Sequence, residues 1–221
     1  MTAVMVCGIR KREDVDILVE AGVDAVGLIT AVWQAIPCNL SLEEARELSR
    51  SIPPFMSSVL VITEENVSEV CRMIGHVHPG VVQLHGFNTL RDVSTIKGRT
   101  GVKIIKTLHF QGGEMAEDGD PVKTAQEYGE AGADAVLLDS YQRGEKVGAT
   151  GKTVDFSLAR EIRQCISPLP LVLAGGLSAD NVLEAVKAVK PYAVDVLSGV
   201  TSFDCIDLAK VKQFVQRARS G

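Results

Sequence analysis

Short apolar runs recur along the whole chain and alternate with longer amphipathic segments. The runs are four to six residues long and rich in Val, Ile and Leu, with little alternation between apolar and polar residues. This composition is typical of parallel strands that are buried on both faces. The eight runs are AVMVC (3–7), DAVGLI (24–29), SVLVI (58–62), GVVQL (80–84), VKIIK (102–106), DAVLL (134–138), PLVLA (170–174) and AVDVL (193–197).

The segments between the runs have the length and apolar spacing of helices, as at 12–22, 41–51, 178–189 and 203–218. Ser41 with Glu44 has the spacing of a capping box, and Ser178 is a further candidate N-cap. Eight strands that alternate with about eight helices predict an α/β fold, a (β/α)8 TIM barrel. Barrels of this length are routinely single domains, so we expect one domain over residues 1–221.

An internal similarity favours the barrel. EAGVDAVGL (20–28) and EAGADAVLL (130–138) are near copies about half a chain apart, and each reads as a helix end, a glycine turn and a strand. A barrel of two similar halves predicts such an offset. Convergence on an ordinary helix-to-strand turn would also produce it, because glycine commonly follows a helix.

Charge and cysteine content narrow the class of protein. The net charge of −5 gives no general electrostatic surface for nucleic acid or for an anionic membrane. No apolar run approaches the length of a membrane span, and the chain begins directly with a strand rather than a secretory segment. The five cysteines are scattered and without a C-x-x-C pair, which is typical of reduced thiols. We therefore expect a cytoplasmic protein.

In a (β/α)8 barrel the loops that follow the strands meet at one end, where active sites lie. Each polar residue or glycine at these strand ends has an ordinary structural explanation when it is taken alone, such as core packing for a cysteine or a turn for an aspartate. Together at one barrel mouth they favour a functional site. These residues are Cys7, Gln83, His85, Lys106, Asp139, Gly175, Gly176, Ser198 and Gly199.

Two glycine-containing loops indicate a phosphate site. Gly175-Gly176 and Ser198-Gly199 follow the seventh and eighth strands, where bare backbone N–H groups and a helix start can bind an anion. A second stretch, KVGATGKT (146–153), lacks the first glycine of a P-loop, because Lys146 occupies that position. We interpret 140–154 as an active-site loop, with Asp155 near the next helix start.

Two other polar segments are interpreted as a loop and a helix end. The polar stretch HFQGGEMAEDGD (109–120) is expected to form a mobile loop after the fifth strand. His76 and His78 are one residue apart at the opposite end of the barrel, without an evident carboxylate partner. We expect a solvated helix end there and no metal site.

These motifs, in this order, resemble those of the phosphoribosylanthranilate isomerase family, the barrel enzymes of tryptophan biosynthesis. The resemblance covers nearly the whole chain, through VCGIRKREDVDILVEAGVDAVGLI, VVQLHG, DAVLLDS, TGKTVDFS, LAGGLSADNV and AVDVLSGV.

The resemblance implies an Amadori rearrangement of a 5-phosphoribosyl amine to an aminodeoxyribulose 5-phosphate, without a cofactor. It implies that Cys7 is the general base and Asp139 the general acid. Asp139 must then be partly desolvated to keep its proton near neutral pH, and Cys7 needs a neighbour that favours its ionisation. Lys106 is one candidate neighbour. Substrate-binding residues implied by the resemblance are Gln83, His85, Gly175, Gly176, Ser198 and Gly199.

One segment departs from the family pattern. After the second strand the family usually carries an arginine that is thought to meet the substrate carboxylate, and Cys38 occupies that position here. No Arg or Lys lies between residues 13 and 45, and the nearby Trp33 could stack on an aromatic or sugar face instead.

Three hypotheses therefore stand. The first is phosphoribosylanthranilate isomerase with a changed carboxylate contact, and the second is a paralogous isomerase or proton-abstracting enzyme for another phosphosugar. The third is a non-catalytic module that binds a phosphate ligand, against which Cys7 and Asp139 both argue. The expected partner is a small phosphosugar substrate, with neither nucleic acid nor membrane, and the protein is expected to be a monomer or homodimer.

Overall fold

Eleven strands and eight helices form the described part of the chain in the computed structural model, which covers residues 1–32, 36–111, 114–140 and 154–221. In chain order they are β1 (Ala3–Cys7), α1 (Arg12–Ala21), β2 (Ala25–Ile29), α2 (Leu42–Ser51), β3 (Ser57–Ile62), α3 (Val67–Val77), β4 (Val81–Leu84), α4 (Leu90–Thr100), β5 (Lys103–Gln111), β6 (Glu114–Met115), α5 (Pro121–Glu130), β7 (Ala135–Ser140), α6 (Phe156–Cys165), β8 (Leu171–Leu173), α7 (Val182–Val189), β9 (Ala193–Val196), β10 (Thr201–Ser202), β11 (Cys205–Ile206) and α8 (Leu208–Ala218). A single 3-10 turn, Ser198–Val200, follows β9.

Eight of the strands close into a parallel barrel. Their order around it is β4-β3-β2-β1-β9-β8-β7-β5, and β5 pairs with β4 to complete the ring. All eight apolar runs predicted as strands lie in this barrel. The predicted (β/α)8 TIM barrel is therefore confirmed.

The barrel separates two hydrophobic cores, because successive side chains of a strand point to opposite faces. One core fills the inside of the barrel and contains Met5, Cys7, Val61 and Leu137. The other lies between the strands and the surrounding helices and contains most of the buried Val, Ile and Leu residues. A fully buried side chain of this size contributes roughly 1.5–3 kcal/mol, so this outer core supplies most of the hydrophobic stabilisation.

Local capping chemistry explains where several helices begin. The predicted capping box is present at α2, where the Ser41 backbone N–H donates to Glu44 and the Ser41 hydroxyl accepts from the Glu44 backbone N–H. Asp155 caps α6 as its position suggested, through bonds from the backbone N–H groups of Ser157 and Leu158. Helix α7 begins only at Val182, so Ser178 lies in the preceding turn and is not its N-cap.

The two near-identical segments have equivalent places in the barrel. Each ends a helix and starts a strand, β2 in one case and β7 in the other, and these are the second and sixth barrel strands. Asp24 accepts a hydrogen bond from the Val4 backbone N–H at 2.8 Å, and Asp134 accepts one from the Ile104 backbone N–H at 2.9 Å. In both copies the aspartate therefore fastens the start of the preceding barrel strand.

Two predicted segments differ from the structure. Strand β5 continues to Gln111, and Phe110 pairs with Met115 of β6, so the predicted loop at 109–120 is partly a strand extension and hairpin. The reason is that β7 also runs on, to Ser140, and its backbone supplies hydrogen-bond partners as far as Phe110. The last helix begins at Leu208 rather than 203, because residues 201–206 form the β10–β11 hairpin.

The histidines at the opposite end of the barrel belong to a helix end, as predicted. His76 lies in the last turn of α3 and His78 is its C-cap. The sequence missed a carboxylate, because Glu43 Oε2 of α2 lies 3.0 Å from His76 Nε2. Trp33 and residues 141–153 of the proposed active-site loop lie outside the described residues. Among the helices that are described, none is both long enough and apolar enough to cross a membrane.

Candidate active site

A cavity opens at the carboxyl end of the barrel, where the strand ends and the following loops meet. Seven of the eight predicted site residues line it, and the eighth, Gly199, lies beside it. Its polar lining residues and glycines are Cys7, Thr63, Gln83, His85, His109, Asp139, Gly175, Gly176, Asp195 and Ser198. Its apolar wall includes Ile29, Val32, Ile36, Val61, Phe87 and Leu197.

Cys7 ends β1 with its side chain inside the barrel. It is paired in register with Gly27 of β2, and a Cβ at Gly27 would overlap the Cys7 Sγ atom. The Sγ atom donates a hydrogen bond to Asp195 Oδ1 at 3.0 Å. Burial raises the pKa of the Cys7 thiol well above its usual value, and the negative charge of Asp195 raises it further. Cys7 is therefore a protonated thiol at neutral pH.

Asp139 lies near the end of β7 and is buried. Burial raises the pKa of its carboxyl to about 7, helped by the negative charge of Asp195, against the effect of a hydrogen bond from the Ser140 backbone. Asp139 therefore keeps a proton at much higher pH than an aspartate in water does. This carboxyl can donate a proton to a bound ligand and take one back.

A chain of hydrogen bonds between buried polar side chains positions the His85 ring next to Asp139. Gln83 Nε2 donates to Thr107 Oγ1 and to His85 Nδ1, both at 3.2 Å. Burial lowers the pKa of His85 well below its usual value, so the ring is neutral and carries its one proton on Nε2. That nitrogen lies 3.6 Å from Asp139 Oδ2. Among the described residues Gln83 Oε1 lacks a hydrogen-bond partner, which leaves it for a ligand donor such as a sugar hydroxyl.

The glycine loops approach the same cavity from β8 and β9. Gly175 has a φ of +81°, and a Cβ there would overlap the Ser140 side chain and backbone. Gly176 and Ser198 line the cavity, while Gly199 packs against the Leu177 carbonyl, where a Cβ would overlap it. Bare backbone at these positions is what a phosphate group requires for close approach.

Cys38, which stands where the family usually has arginine, is buried in the inner core together with Cys7. A Cβ on Gly8 would lie 3.3 Å from the Cys38 Sγ atom, so the thiol packs against the loop that follows β1. Burial raises the pKa of the Cys38 thiol, whereas the nearby Arg10 guanidinium lowers it. At this position the chain therefore carries a buried thiol and no positive charge.

Lys106, the candidate neighbour of Cys7, does not lie beside it. Lys106 is buried on the outer face of β5, where its Nζ atom donates to the carbonyls of Gly86 and Thr107 and lies 5.0 Å from the centre of the Tyr128 ring. Burial lowers the pKa of this amine to about 8. Lys106 belongs to the layer between barrel and helices and not to the cavity.

The sequence reasoning missed two site residues, His109 and Asp195. His109 Nε2 lies 2.9 Å from the His85 carbonyl oxygen, and burial lowers the pKa of its ring to about 4. Strand periodicity contained a signal for both. His109 is two residues beyond Thr107 on the inward face of β5, and Asp195 is a charged residue inside an otherwise apolar strand.

One group of side chains has the composition and spacing of a metal site among the described residues. His85, His109 and Asp139 each offer a ligand atom, and these three atoms lie within 4.8 Å of one another. Two neutral imidazoles and a carboxylate suit zinc or a similar ion. Asp139 beside two neutral imidazoles also has the surroundings of a proton donor, a role that needs no metal.

The arrangement as a whole places a proton donor and a thiol–carboxylate pair in one buried cavity beside a glycine-lined anion site. Asp139 lies on β7 and Asp195 on β9, with only β8 between them, and Cys7 lies on β1 next to β9. A ligand that contacts both groups can lose a proton to one and gain a proton from the other. Such an arrangement suits proton transfer to and from a ligand that carries an anionic group.

Comparisons with known proteins agree with this chemistry. The family model described as N-(5'phosphoribosyl)anthranilate (PRA) isomerase matches residues 4–217. The N-(5'-phosphoribosyl)anthranilate isomerase of Methanosarcina acetivorans is 37% identical over 99% of this chain and 93% of its own length.

Solved structures show the same similarity over the full length of both chains. A phosphoribosyl anthranilate isomerase in complex with reduced 1-(o-carboxyphenylamino)-1-deoxyribulose 5-phosphate superposes with a TM-score of 0.80 at 31% identity. A structure of monomers of the dimeric isomerase from Thermotoga maritima superposes with a TM-score of 0.78 at 29% identity. From its fold, its cavity and these matches, the chain belongs to the N-(5'-phosphoribosyl)anthranilate isomerase family.

Proposed function

We propose that this protein catalyses the Amadori rearrangement of N-(5-phosphoribosyl)anthranilate, with Asp139 as general acid and Cys7 as general base. Family membership supports the reaction. The observation that carries the two roles is that both side chains line one buried cavity next to the glycine loops of β8 and β9.

The geometry suggests an orientation for the substrate. The phosphate would bind at Gly175, Gly176, Ser198 and the adjoining Gly199, where backbone can approach it closely. The apolar wall formed by Ile29, Val32, Ile36 and Val61 suits the aromatic ring. The ribose then lies between Asp139 and Cys7.

Asp139 would begin the reaction by giving its proton to the furanose ring oxygen, which opens the ring to a Schiff base. Its pKa of about 7 keeps the proton available at neutral pH, and the neighbouring His85 Nε2–H can stabilise the carboxylate that remains. Cys7 would take the proton from C2′ of the opened sugar to give an enolamine. The protonated nitrogen of the substrate accepts the electrons, so the sequence of steps requires no cofactor.

Gln83 and His85 would orient the sugar and the acid. Gln83 Oε1 is a buried acceptor, and Gln83 Nε2 fixes the tautomer of His85. Loss of either side chain would change the surroundings of Asp139 but would leave the proton donor in place.

The test is steady-state turnover of phosphoribosylanthranilate, followed by loss of substrate fluorescence. We expect Cys7→Ala and Asp139→Asn each to lower kcat by about 10²-fold or more, as general acid–base groups typically contribute. Cys165→Ala and Asp118→Asn are matched controls at exposed positions and should keep wild-type activity. A folded wild type without turnover would refute the proposal, and full activity in either active-site variant would refute that residue's role.

Cys38 keeps a second candidate function open, because the site lacks the usual arginine at this position. A paralogue specific for another phosphosugar would turn over a phosphoribosyl amine without the carboxylate at least as well as phosphoribosylanthranilate. A strong preference for the carboxylated substrate would exclude that candidate.

We also propose that the protein works in the cytoplasm as a monomer or homodimer, without nucleic acid or membrane partners. All five cysteines are free thiols, as a reducing compartment permits. Light scattering on the purified protein would distinguish the two assembly states.

A further inference from the structure

The thiol assigned as the base carries a proton that must go elsewhere before sulfur can accept another. A thiolate is a nucleophile and a base, whereas a neutral thiol is neither to a useful degree. Cys7 is buried, and the charges of Asp195, Cys38 and Asp139 all disfavour its ionisation. The resting enzyme therefore holds Cys7 as a thiol, and the proposed function requires an acceptor for its proton.

Asp195 stands in contact with that proton. The two residues lie on adjacent strands, since Met5 of β1 is paired with Asp195 of β9 and Cys7 is the next inward-facing position of β1. The Cys7 Sγ–H donates to Asp195 Oδ1 at 3.0 Å. Both residues line the cavity, so the bond lies at the surface that a substrate would contact.

The basicity of the Asp195 carboxylate suits it to accept a proton. Burial raises the pKa of its carboxyl to about 6, although the hydrogen bond from Cys7 lowers it. At neutral pH the carboxylate is mostly ionised, yet it is far more basic than an aspartate in water. A carboxylate that was fully exposed would be a much weaker acceptor for a thiol proton.

We propose that Asp195 activates Cys7 by accepting the Sγ proton as the sulfur takes the C2′ proton of the substrate. This inference rests on the proposed function and extends it from one residue to a pair. Asp195 positions the thiol and deprotonates it, while Cys7 alone touches the reacting carbon.

The protons balance over this step. Before it, Cys7 is a thiol and Asp195 a carboxylate; after it, Cys7 is again a thiol with the substrate's proton, and Asp195 is a carboxylic acid. The pair has gained one proton and Asp139 has lost one to the ring oxygen. The cycle closes when the pair protonates C1′ of the enolamine, the enol O2′ proton leaves as the ketone forms, and Asp139 is reprotonated.

The pH dependence of kcat/KM gives one readout. In the wild type Asp195 must be ionised and Asp139 protonated, so activity should follow a narrow bell with apparent limbs near 6 and 7 that belong to the coupled groups. In Asp195→Asn the acid limb should move to higher pH, because the thiol itself must now ionise. The acid limb then overlaps the alkaline limb that Asp139 sets, so few molecules are in the active protonation state. We therefore expect kcat to fall by about 10²-fold or more.

Alkylation of Cys7 by iodoacetamide, read by mass spectrometry across pH, gives a second readout that does not depend on turnover. Removing the negative charge of Asp195 should make the thiolate easier to form, so Asp195→Asn should be alkylated faster and with a lower midpoint pH. A variant that is more reactive towards alkylation but slower in catalysis cannot be explained by general loss of structure.

Controls and opposite outcomes are available for each measurement. Asp180→Asn, at an exposed position, should match the wild type in both assays. In the Cys7→Ala background, adding Asp195→Asn should lower kcat little further, because the two residues act as a unit. If Asp195→Asn does not fold, Asp195→Glu keeps the carboxylate and should retain the bell-shaped profile.

Wild-type kcat and pH profile in Asp195→Asn, or loss of the bell in a folded Asp195→Glu, would overturn the inference. If the wild type turns over no phosphoribosylanthranilate, the proposed function fails on its own. In that case an unchanged alkylation midpoint in Asp195→Asn would show separately that the pair is not coupled.

Discussion

Asp139 should make the protein less stable as the pH rises, because its acid form is favoured in the folded state. The pKa of its carboxyl rises from an ordinary 3.8 to about 7 on folding, chiefly through burial. A group of this kind stabilises the fold fully below the lower value, and that stability is lost as the pH rises through the higher one. Between pH 5 and pH 8 the pH passes through about two units of that interval. At about 1.4 kcal/mol per unit, the ionisation of Asp139 should cost about 2–3 kcal/mol.

Asp139→Asn removes this ionisation and nearly preserves the shape of the side chain. The free energy of unfolding of the variant, relative to that of the wild type, should be about 2–3 kcal/mol higher at pH 8 than at pH 5. Urea unfolding followed by circular dichroism at the two pH values measures the gain, and Asp118→Asn controls for the loss of one exposed carboxylate. A stability difference between Asp139→Asn and wild type that is the same at both pH values would refute the assignment of Asp139 as a neutral acid.

Two further substitutions test the placement of side chains around the cavity. Lys106→Met should keep kcat within a few-fold of wild type, because the amine lies outside the barrel. A stable variant with the ~10²-fold loss expected of an acid–base group would show instead that Lys106 belongs to the site. Gly27→Ala should displace the Cys7 Sγ atom, cost roughly 1–3 kcal/mol through overpacking, and lower kcat. Gly98→Ala is the control, because the space around this position in α4 is open, and it should be neutral or slightly stabilising. Equal losses of stability and kcat in the two variants would exclude a specific contact between Gly27 and Cys7.

The barrel could be predicted because its signal is repeated eight times. Each strand is a short apolar run buried on both faces, and an error of one or two residues at an end does not change the count. The ends themselves depend on tertiary pairing. Strand β5 reaches Gln111 only because β7 and the β6 hairpin supply hydrogen-bond partners, and nothing in the local sequence HFQGGEM shows that.

The site could be predicted only in part, for a related reason. Positions at strand ends identified Cys7, Gln83, His85 and Asp139, which the structure places in one cavity, although their roles stay predictions. Lys106 was counted among the residues of the barrel mouth and His109 was placed in a loop, because a strand end predicted from sequence indicates the level in the barrel but not the face. The register of Gln83 with Ile105 decides the face and turns His109 inward. The contact between Cys7 and Asp195 joins residues 188 positions apart, so only the closed barrel reveals it.

The two-faced strands also shape how a protein of this kind can change over time. On β5 the inward residue His109 lines the cavity and Thr107 accepts a hydrogen bond from the cavity residue Gln83, while Lys106 and Leu108 on the same backbone pack towards the helices. Replacement of an inward residue can therefore alter ligand preference without touching the outer layer. A single-residue insertion in the strand would exchange the two sets at once. Divergence should therefore accumulate as substitutions within strands and as length changes in loops, with strand length the more constrained property.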